Sequence, residues 1–393
     1  MRFMKSGHYT AGHRGASDIV QTALMRVLHI APTFFDASSV IGGAERFTWE
    51  LARAMARTAD VTLLTFGPRA FAGRRDGVMV RCLKHWGGAG HSLMPDPVRL
   101  SFFRALRAAD IVHCYQVDVM STNAGVLGAR ALGRPVFVTD LGGGYARMPS
   151  QWLPIMRRAT AYLLISDYSR QLWRQRPRFR RPDQLDVIYG GVDTDHFSPG
   201  GAKDPSMVVF VGRLVAHKGV EHLIDAVGAG QRLHVVGRPY DQPYLAFLRD
   251  RARGKDVVFE HDVDDAGLVE RYRRAAVSVL PSVATDYRGA VTGHAELFGL
   301  AAAEAMACGT AAIVTRTASL PEVVADQETG FVVPPGDARA LAARIGQLCG
   351  NPPLAASMGA AARRRIMEQF TWDATARRCL AAYARATGSE AAG

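Results

Sequence analysis

The chain has 393 residues, 48% hydrophobic and 21% charged. That is too long for one ordinary domain, about right for two, and apolar enough to exclude a disordered chain. The formal charge of +12 favours polyanionic partners such as nucleotide phosphates, nucleic acid or anionic lipid, or it reflects a surface solvated by abundant arginine. Five scattered cysteines, Cys82, Cys114, Cys308, Cys349 and Cys379, form no CxxC pair, which argues against a zinc site or disulfide framework and for a reducing compartment. No apolar run approaches the roughly 18 to 20 residues that span a bilayer.

In chain order, residues 1–24 are polar, aperiodic and without an apolar h-region; they read as an extension, or as a start placed too early, and not as a secretory signal. The fold signal begins at Met25. Arg26 to Pro32 predicts a buried parallel strand, and the stretch ERFTWELARAMART from Glu45 predicts an amphipathic helix. Further strands are expected at Val61 to Phe66, Ala109 to Cys114, Pro135 to Thr139, Leu163 to Ser166 and Asp186 to Tyr189. A Pro- and Gly-rich segment from Phe197 to Ser206 reads as a linker. The pattern then restarts, with strands at Met207 to Gly212, Arg232 to Gly237, Asp256 to Phe259, Ala276 to Leu280, Ala311 to Thr315 and Gly330 to Val333. Alternating strands and helices predict two α/β units with parallel sheets. Ligands of open α/β sheets lie beyond the carboxyl ends of strands, so two such units make a cleft.

Three segments carry the chemistry. In the first, Glu296 and Glu304 are eight residues apart, with an Ala-rich helix expected from Gly299 to a C-capping Gly309. The free N–H groups of the helix start, around Phe298, Gly299 and Leu300, would suit an anion, with a hydroxyl-binding carboxylate at either end. Spacing alone favours a plainer alternative, a core helix with Glu304 on its wet face. The second segment, Val211 to Gly219, places Arg213 and Lys218 where a strand turns toward a helix; the planar guanidinium and the ammonium can together neutralise a diphosphate without a metal. The third is the pair Gly42 and Gly43, which lets backbone approach a ligand or simply makes a turn. The run Leu141 to Tyr145 is a similar loop. There is no GxGxxG fingerprint and no Walker A motif.

Taken in order, GGAER at 42–46, DIVH at 110–113, IYGGVDTDHFSP at 188–199, VGRLVAHKG at 211–219, ELFGLAAAEAMACG at 296–309, ASLPEVV at 318–324, TGFVVPPGD at 329–337 and FTWDATARR at 370–378 resemble the family 4 glycosyltransferases of GT-B architecture. The resemblance runs from about Met25 to Ala386. It implies two Rossmann-like domains facing across a cleft: an N-terminal acceptor domain at 25–200, joined by a crossing helix at about 370–388, and a C-terminal donor domain at 201–369. It implies retaining transfer of a sugar from a UDP- or GDP-linked donor to a glycan or lipid-linked acceptor, with no metal and no cofactor. Arg213 and Lys218 match the pair that neutralises the diphosphate. Glu304 matches the glutamate at the ribose, and Glu296 the one at the donor sugar. Phe298, Gly299 and Leu300 match the stretch lining sugar and phosphates, and Gly43, beside Gly42, the loop glycine near the phosphates.

The chain departs from the family at Leu141 and Tyr115, where relatives often carry histidine; Asp140 is the alternative to the first. A polar stretch at 284–293 is longer than expected. The nucleobase pocket is expected around His261 to Asp264. Trp152, Trp173 and the arginines of 174–181 are expected to form a face for anionic membrane, with the protein cytoplasmic. Two alternatives are a GT-B epimerase or phosphorylase, for which no Schiff-base lysine stands out, and a non-catalytic basic protein for nucleic acid, to which the runs at 174–181 and Arg363 to Arg365 come closest, although both also read as solvated helix ends.

Overall fold

A computed structural model describes residues 24–32, 43–67, 69–84, 100–142, 152–176, 184–292 and 296–388. The first unit runs β1 (Arg26–Ile30), α1 (Gly43–Met55), β2 (Asp60–Gly67), β3 (Phe71–Arg75), β4 (Val78–Lys84), α2 (Leu100–Ala108), β5 (Ile111–Tyr115), α3 (Met120–Ala131), β6 (Val136–Thr139), β7 (Ala161–Leu164), α4 (Asp167–Arg174) and β8 (Leu185–Val187). The second runs β9 (Asp204–Val211), α5 (Val220–Ala226), β10 (Arg232–Val236), α6 (Gln242–Arg251), β11 (Val257–Glu260), α7 (Asp265–Arg274), β12 (Ala275–Leu280), α8 (Leu300–Ala307), β13 (Ala311–Thr315), α9 (Leu320–Val323), β14 (Gly330–Val333), α10 (Ala338–Cys349), α11 (Pro352–Gln369) and α12 (Trp372–Thr387).

The strand orders are β3-β4-β2-β1-β5-β6-β7-β8 and β11-β10-β9-β12-β13-β14. Every pairing is parallel except β3 with β4. In both sheets the chain first winds one way and then returns to continue on the other side of its first strand, so a switch point lies between β1 and β5 and another between β9 and β12. The central strands are buried on both faces, as the runs Val27 to Ile30 and Met207 to Phe210 require.

Three differences from the sequence reading have local causes. The hairpin β3–β4 was not expected; it turns at Asp76 and Gly77, both at positive φ, an Asp-Gly hairpin signal. Strand β9 begins at Asp204, inside the segment read as linker, because Asp204 pairs with Ala275 of β12 and the ammonium of Lys203 donates to the carbonyls of Arg273 and Ala275. The linker's first residue, Phe197, is buried against Tyr272. Helix α11 packs on α8 and β13, and after Phe370 the chain leaves the second unit. Helix α12 lies on the first: Trp372 meets the edge of Phe47, Tyr383 packs on Phe137, and Arg57 pairs with Asp373.

Candidate active site

The start of α1 and the end of β6 face the loops that follow β9 and β12. After β9 the chain passes Arg213, makes a single tight turn at Ala216–Lys218, and enters α5 through Gly219 at φ +62°. A Cβ at Gly219 would stand 2.3 Å from the carbonyl oxygen of Pro281, so glycine alone lets this loop sit against the end of β12. The guanidinium of Arg213 lies 5.9 Å over the ring of Tyr240, just beyond β10. The ammonium of Lys218 donates to Glu296 Oε1, which also faces the Ser282 hydroxyl at 3.5 Å. Both side chains of that pair are nearly buried, and the Ser319 hydroxyl donates to the Glu296 carbonyl at 3.1 Å, fixing the loop's backbone.

Helix α8 starts immediately after. Gly299 occupies its N-cap at φ +90°, where a Cβ would stand 2.7 Å from Leu320 Cδ2, and it brings no side chain to cap the helix. The first N–H groups therefore point, uncapped, toward the cleft, where the helix dipole favours an anion. Across from them is the first turn of α1. Gly43 opens that helix so near Leu300 that a Cβ would lie 3.8 Å from its Cδ1. The cleft between the units has a volume of about 530 Å³, with Arg213, Lys218 and Glu296 on one side and Gly43, Glu45, Leu141 and Gly142 on the other.

Beyond Leu300 a second lobe of about 310 Å³ continues past Glu304. Glu304 is 6% exposed, so it does not lie on a wet helix face. Its Oε2 accepts from the Tyr272 hydroxyl at 3.1 Å and its Oε1 from Arg46 at 3.2 Å; Arg46 also reaches Asp265 at 3.3 Å. Burial pushes the Glu304 carboxyl above its ordinary range, while Arg46 and the Tyr272 hydrogen bond pull it back.

The structure gathers Gly43, Arg213, Lys218, Glu296, Phe298, Gly299 and Leu300 around one cleft and sets Glu304 in the adjoining lobe, so the two glutamates serve different ends of the site. Gly42 and the loop from Gly143 to Tyr145 lie outside the described residues. Leu141 faces the cleft, but Asp140 turns into the first unit. It is almost wholly buried, 3.8 Å from Arg176, and burial raises its carboxyl to about 6. Asp140 therefore does not take the place of a cleft histidine. Tyr115 is also internal, its hydroxyl 2.6 Å from His29 Nδ1. His261 follows β11 and bonds through Nδ1 to the Gly237 carbonyl at 2.8 Å. Within 284–292, Thr285 pairs with Val291 and Tyr287 stacks on Phe247 at 4.5 Å, which fastens the stretch to α6. The sequence reading missed Tyr240, Glu45 and Arg46. The last two stand inside the GGAER motif, at the first turn of a helix whose start faces the cleft, which is the signal that could have found them.

Two cations and a helix N-terminus flanked by two carboxylates can receive an anion whose two ends carry hydroxyls. Residues 192–365 match the model described as Glycosyl transferases group 1, and residues 41–196 the model described as Glycosyltransferase Family 4. The chain is 30% identical to alpha-maltose-1-phosphate synthase of Mycobacterium tuberculosis (strain CDC 1551 / Oshkosh), over 88% of this chain and 95% of that protein. Among solved structures, sucrose-phosphate synthase from Thermosynechococcus elongatus superposes with a TM-score of 0.69 at 21% identity, covering 93% of this chain and 99% of that one. Anabaena HepE in complex with UDP and glucose gives 0.66 at 18%, covering 91% and 98%. These two share the fold.

Proposed function

Because the chain belongs to the family 4 glycosyltransferases, we propose that its cleft binds a UDP- or GDP-linked sugar, with the diphosphate between Arg213, Lys218 and the start of α8. The chain is a glycosyltransferase of GT-B architecture. The observation that carries the finer reading is the meeting of Arg213, Lys218, Glu296 and the uncapped turn of α8 on one wall of a cleft that the first unit closes from the other side.

In this reading Glu304 receives the ribose hydroxyls and Glu296, held by Lys218, the donor sugar. The acceptor hydroxyl attacks the anomeric carbon, the bond from that carbon to the diphosphate breaks, and the acceptor proton passes to a phosphate oxygen. The products are a glycoside with retained configuration and a nucleoside diphosphate. Arg213, Lys218 and the α8 dipole stabilise the charge that grows on the leaving diphosphate, so no metal is needed. The first unit excludes water from the sugar, which favours transfer over hydrolysis. Leu141 supplies no polar group where relatives often have histidine, so sugar contacts on that side come from backbone and from Glu45.

The acceptor in this reading is a glycan or lipid-linked sugar in polysaccharide or glycolipid assembly, reached from the cytoplasmic face of a membrane. Among the described residues no helix is long and apolar enough to cross a bilayer. Trp173, expected at a lipid-facing surface, instead packs inside against Tyr162, 3% exposed. The neighbouring face formed by α2, α3 and the turn at Pro154–Arg158 fits better. It exposes Phe103, Leu127, Leu132 and Trp152 beside Arg104, Arg107 and Arg130. No acidic residue occurs in 100–108, 119–134 or 152–160. Co-sedimentation at low salt with phosphatidylglycerol vesicles but not phosphatidylcholine vesicles is expected; equal indifference to both would remove the membrane from this reading.

The donor reading is tested by thermal shift against UDP, GDP, ADP and their common sugar conjugates with EDTA present. A ligand at 100 times its Kd stabilises the fold by about 2.7 kcal/mol. One nucleotide is expected to raise Tm in EDTA, and no shift with any of them would contradict a metal-free nucleotide site.

A further inference from the structure

The carboxylate read as the ribose receptor belongs to the second unit, but its counter-charge does not. Glu304 sits on α8, and its only other bonded partner among the described residues, Tyr272, is on α7 of the same unit. Arg46 comes from α1 of the first unit and crosses the second lobe to reach both Glu304 and Asp265. The groups around Glu304 are Arg46 and Glu50 of α1, Arg75 of β3, Asp193 and His196 of the segment before β9, Asp265 and Tyr272 of α7, and Cys308 at the end of α8. Of these, Arg46 is the one cation that bonds to it. A buried carboxylate without a cation favours its protonated form. The ionised form accepts hydroxyl hydrogen bonds at both oxygens, each roughly twice as strong as a neutral one.

We propose that Arg46 is a positioning residue that makes ribose capture depend on closure of the two units: Glu304 is a charged, oriented acceptor for the ribose hydroxyls while α1 is docked against α8, and a weaker, protonated one when it is not. The inference rests on reading Glu304 as the ribose receptor. It assigns to the acceptor-side unit a part in donor affinity that its own loops do not reveal, because Arg46 lies beneath Leu300 and away from the cleft that holds Arg213 and Lys218.

The test is calorimetric titration of UDP, GDP and ADP into the full chain with EDTA, from pH 6 to pH 8, for wild type, R46A, R46Q, R46K and E304Q. Kd of each variant is divided by the wild-type value at the same pH, which cancels titration of the nucleotide's own phosphate. Without the arginine charge, burial favours the protonated Glu304 carboxyl, so the R46A and R46Q ratios are expected to grow as pH falls from 8 to 6, by about twofold or more. The sign follows from the ionised fraction of Glu304, which falls as pH falls. R46K keeps a cation and is expected to give a flat ratio; E304Q, with nothing to titrate, a raised but flat one. R46Q keeps a polar, uncharged side chain, shorter than arginine's, if R46A does not fold. Flat ratios for R46A and R46Q, however weak their binding, would overturn the proposal. Failure of the wild type to bind any of the three nucleotides would overturn the donor reading itself, and this inference with it.

Discussion

The two units share a winding order yet place their polar groups in opposite places. At the switch point of the second sheet, β9 and β12 are apolar inside except for the small Ser278, and the charged groups stand beyond their ends in Arg213, Lys218 and Glu296. At the switch point of the first, β1 and β5 set His29 directly opposite His113, and both are fully buried. From there a chain of hydrogen bonds runs inward. His113 Nε2 lies 2.8 Å from the Thr139 hydroxyl, which itself donates to the Leu163 carbonyl; Nε2 therefore carries the proton, and Nδ1 accepts from the Tyr383 hydroxyl at 2.7 Å. Burial holds both imidazoles neutral, His29 down to about 3 and His113 well below its ordinary range. Tyr383 belongs to α12, the helix that returns from the second unit. One switch point thus presents charge to the cleft, and the other uses polar side chains to hold the crossing helix. Topology sets where a cleft opens; which residues end at its rim decides whether it binds.

That contrast predicts mainly rate effects on one side and mainly stability effects on the other. The largest effect belongs to the second unit. R213A is expected to lower transfer by about 10² to 10³, as loss of one preorganised charge stabiliser does, with little change in the unfolding midpoint; K218A should lower transfer as much and also lower the midpoint, because it leaves the nearly buried Glu296 unpaired. A large fall in midpoint with intact turnover would break the contrast.

Next is Asp140 in the first unit. Its folded value near 6 exceeds that of an exposed aspartate, so the native state keeps a proton that the unfolded chain releases. Its carboxyl therefore costs nothing at low pH and costs more as pH rises from about 4 to about 6. D140N is expected to stabilise at pH 8 by up to about 3 kcal/mol and to gain nothing at pH 4, read by urea denaturation. The same gain at both pH values would show that the carboxylate is not penalised in the fold.

The smallest expected effect is Y383F. It strips His113 Nδ1 of its close donor and should cost about 1 to 3 kcal/mol in urea with the m-value unchanged. Nucleotide affinity should stay within a factor of about two, well under the 1.4 kcal/mol that tenfold represents. A large loss of affinity would mean that the crossing helix tunes the cleft as well as holding it.

Much of this was legible beforehand where local chemistry repeats itself. Strands such as Ala311–Thr315 and Gly330–Val333 coincide with their apolar runs, and the cations of the β9 loop were found because strand, turn and helix follow one another within a few residues. What stayed hidden depends on distance. By spacing alone Glu304 looked like a wet-face residue, because Tyr272 and Arg46, which cover it, lie far along the chain. Arg46 was not singled out, since its partners are more than 200 positions away. Asp140 looked like a substitute for histidine by position, but its direction into the first unit is set by Arg176 and the packing behind β6. Trp173 looked like a membrane anchor until Tyr162 covered it.

The most direct measurement is calorimetric titration of UDP, GDP and ADP into wild type and into the R213A/K218A double variant, all in EDTA at one pH. One nucleotide should bind the wild type without metal, and the double variant should lose at least about a hundredfold in affinity while remaining folded at the titration temperature. Binding that needs an added divalent cation, or that survives loss of both side chains, would contradict the assignment of the diphosphate to Arg213 and Lys218.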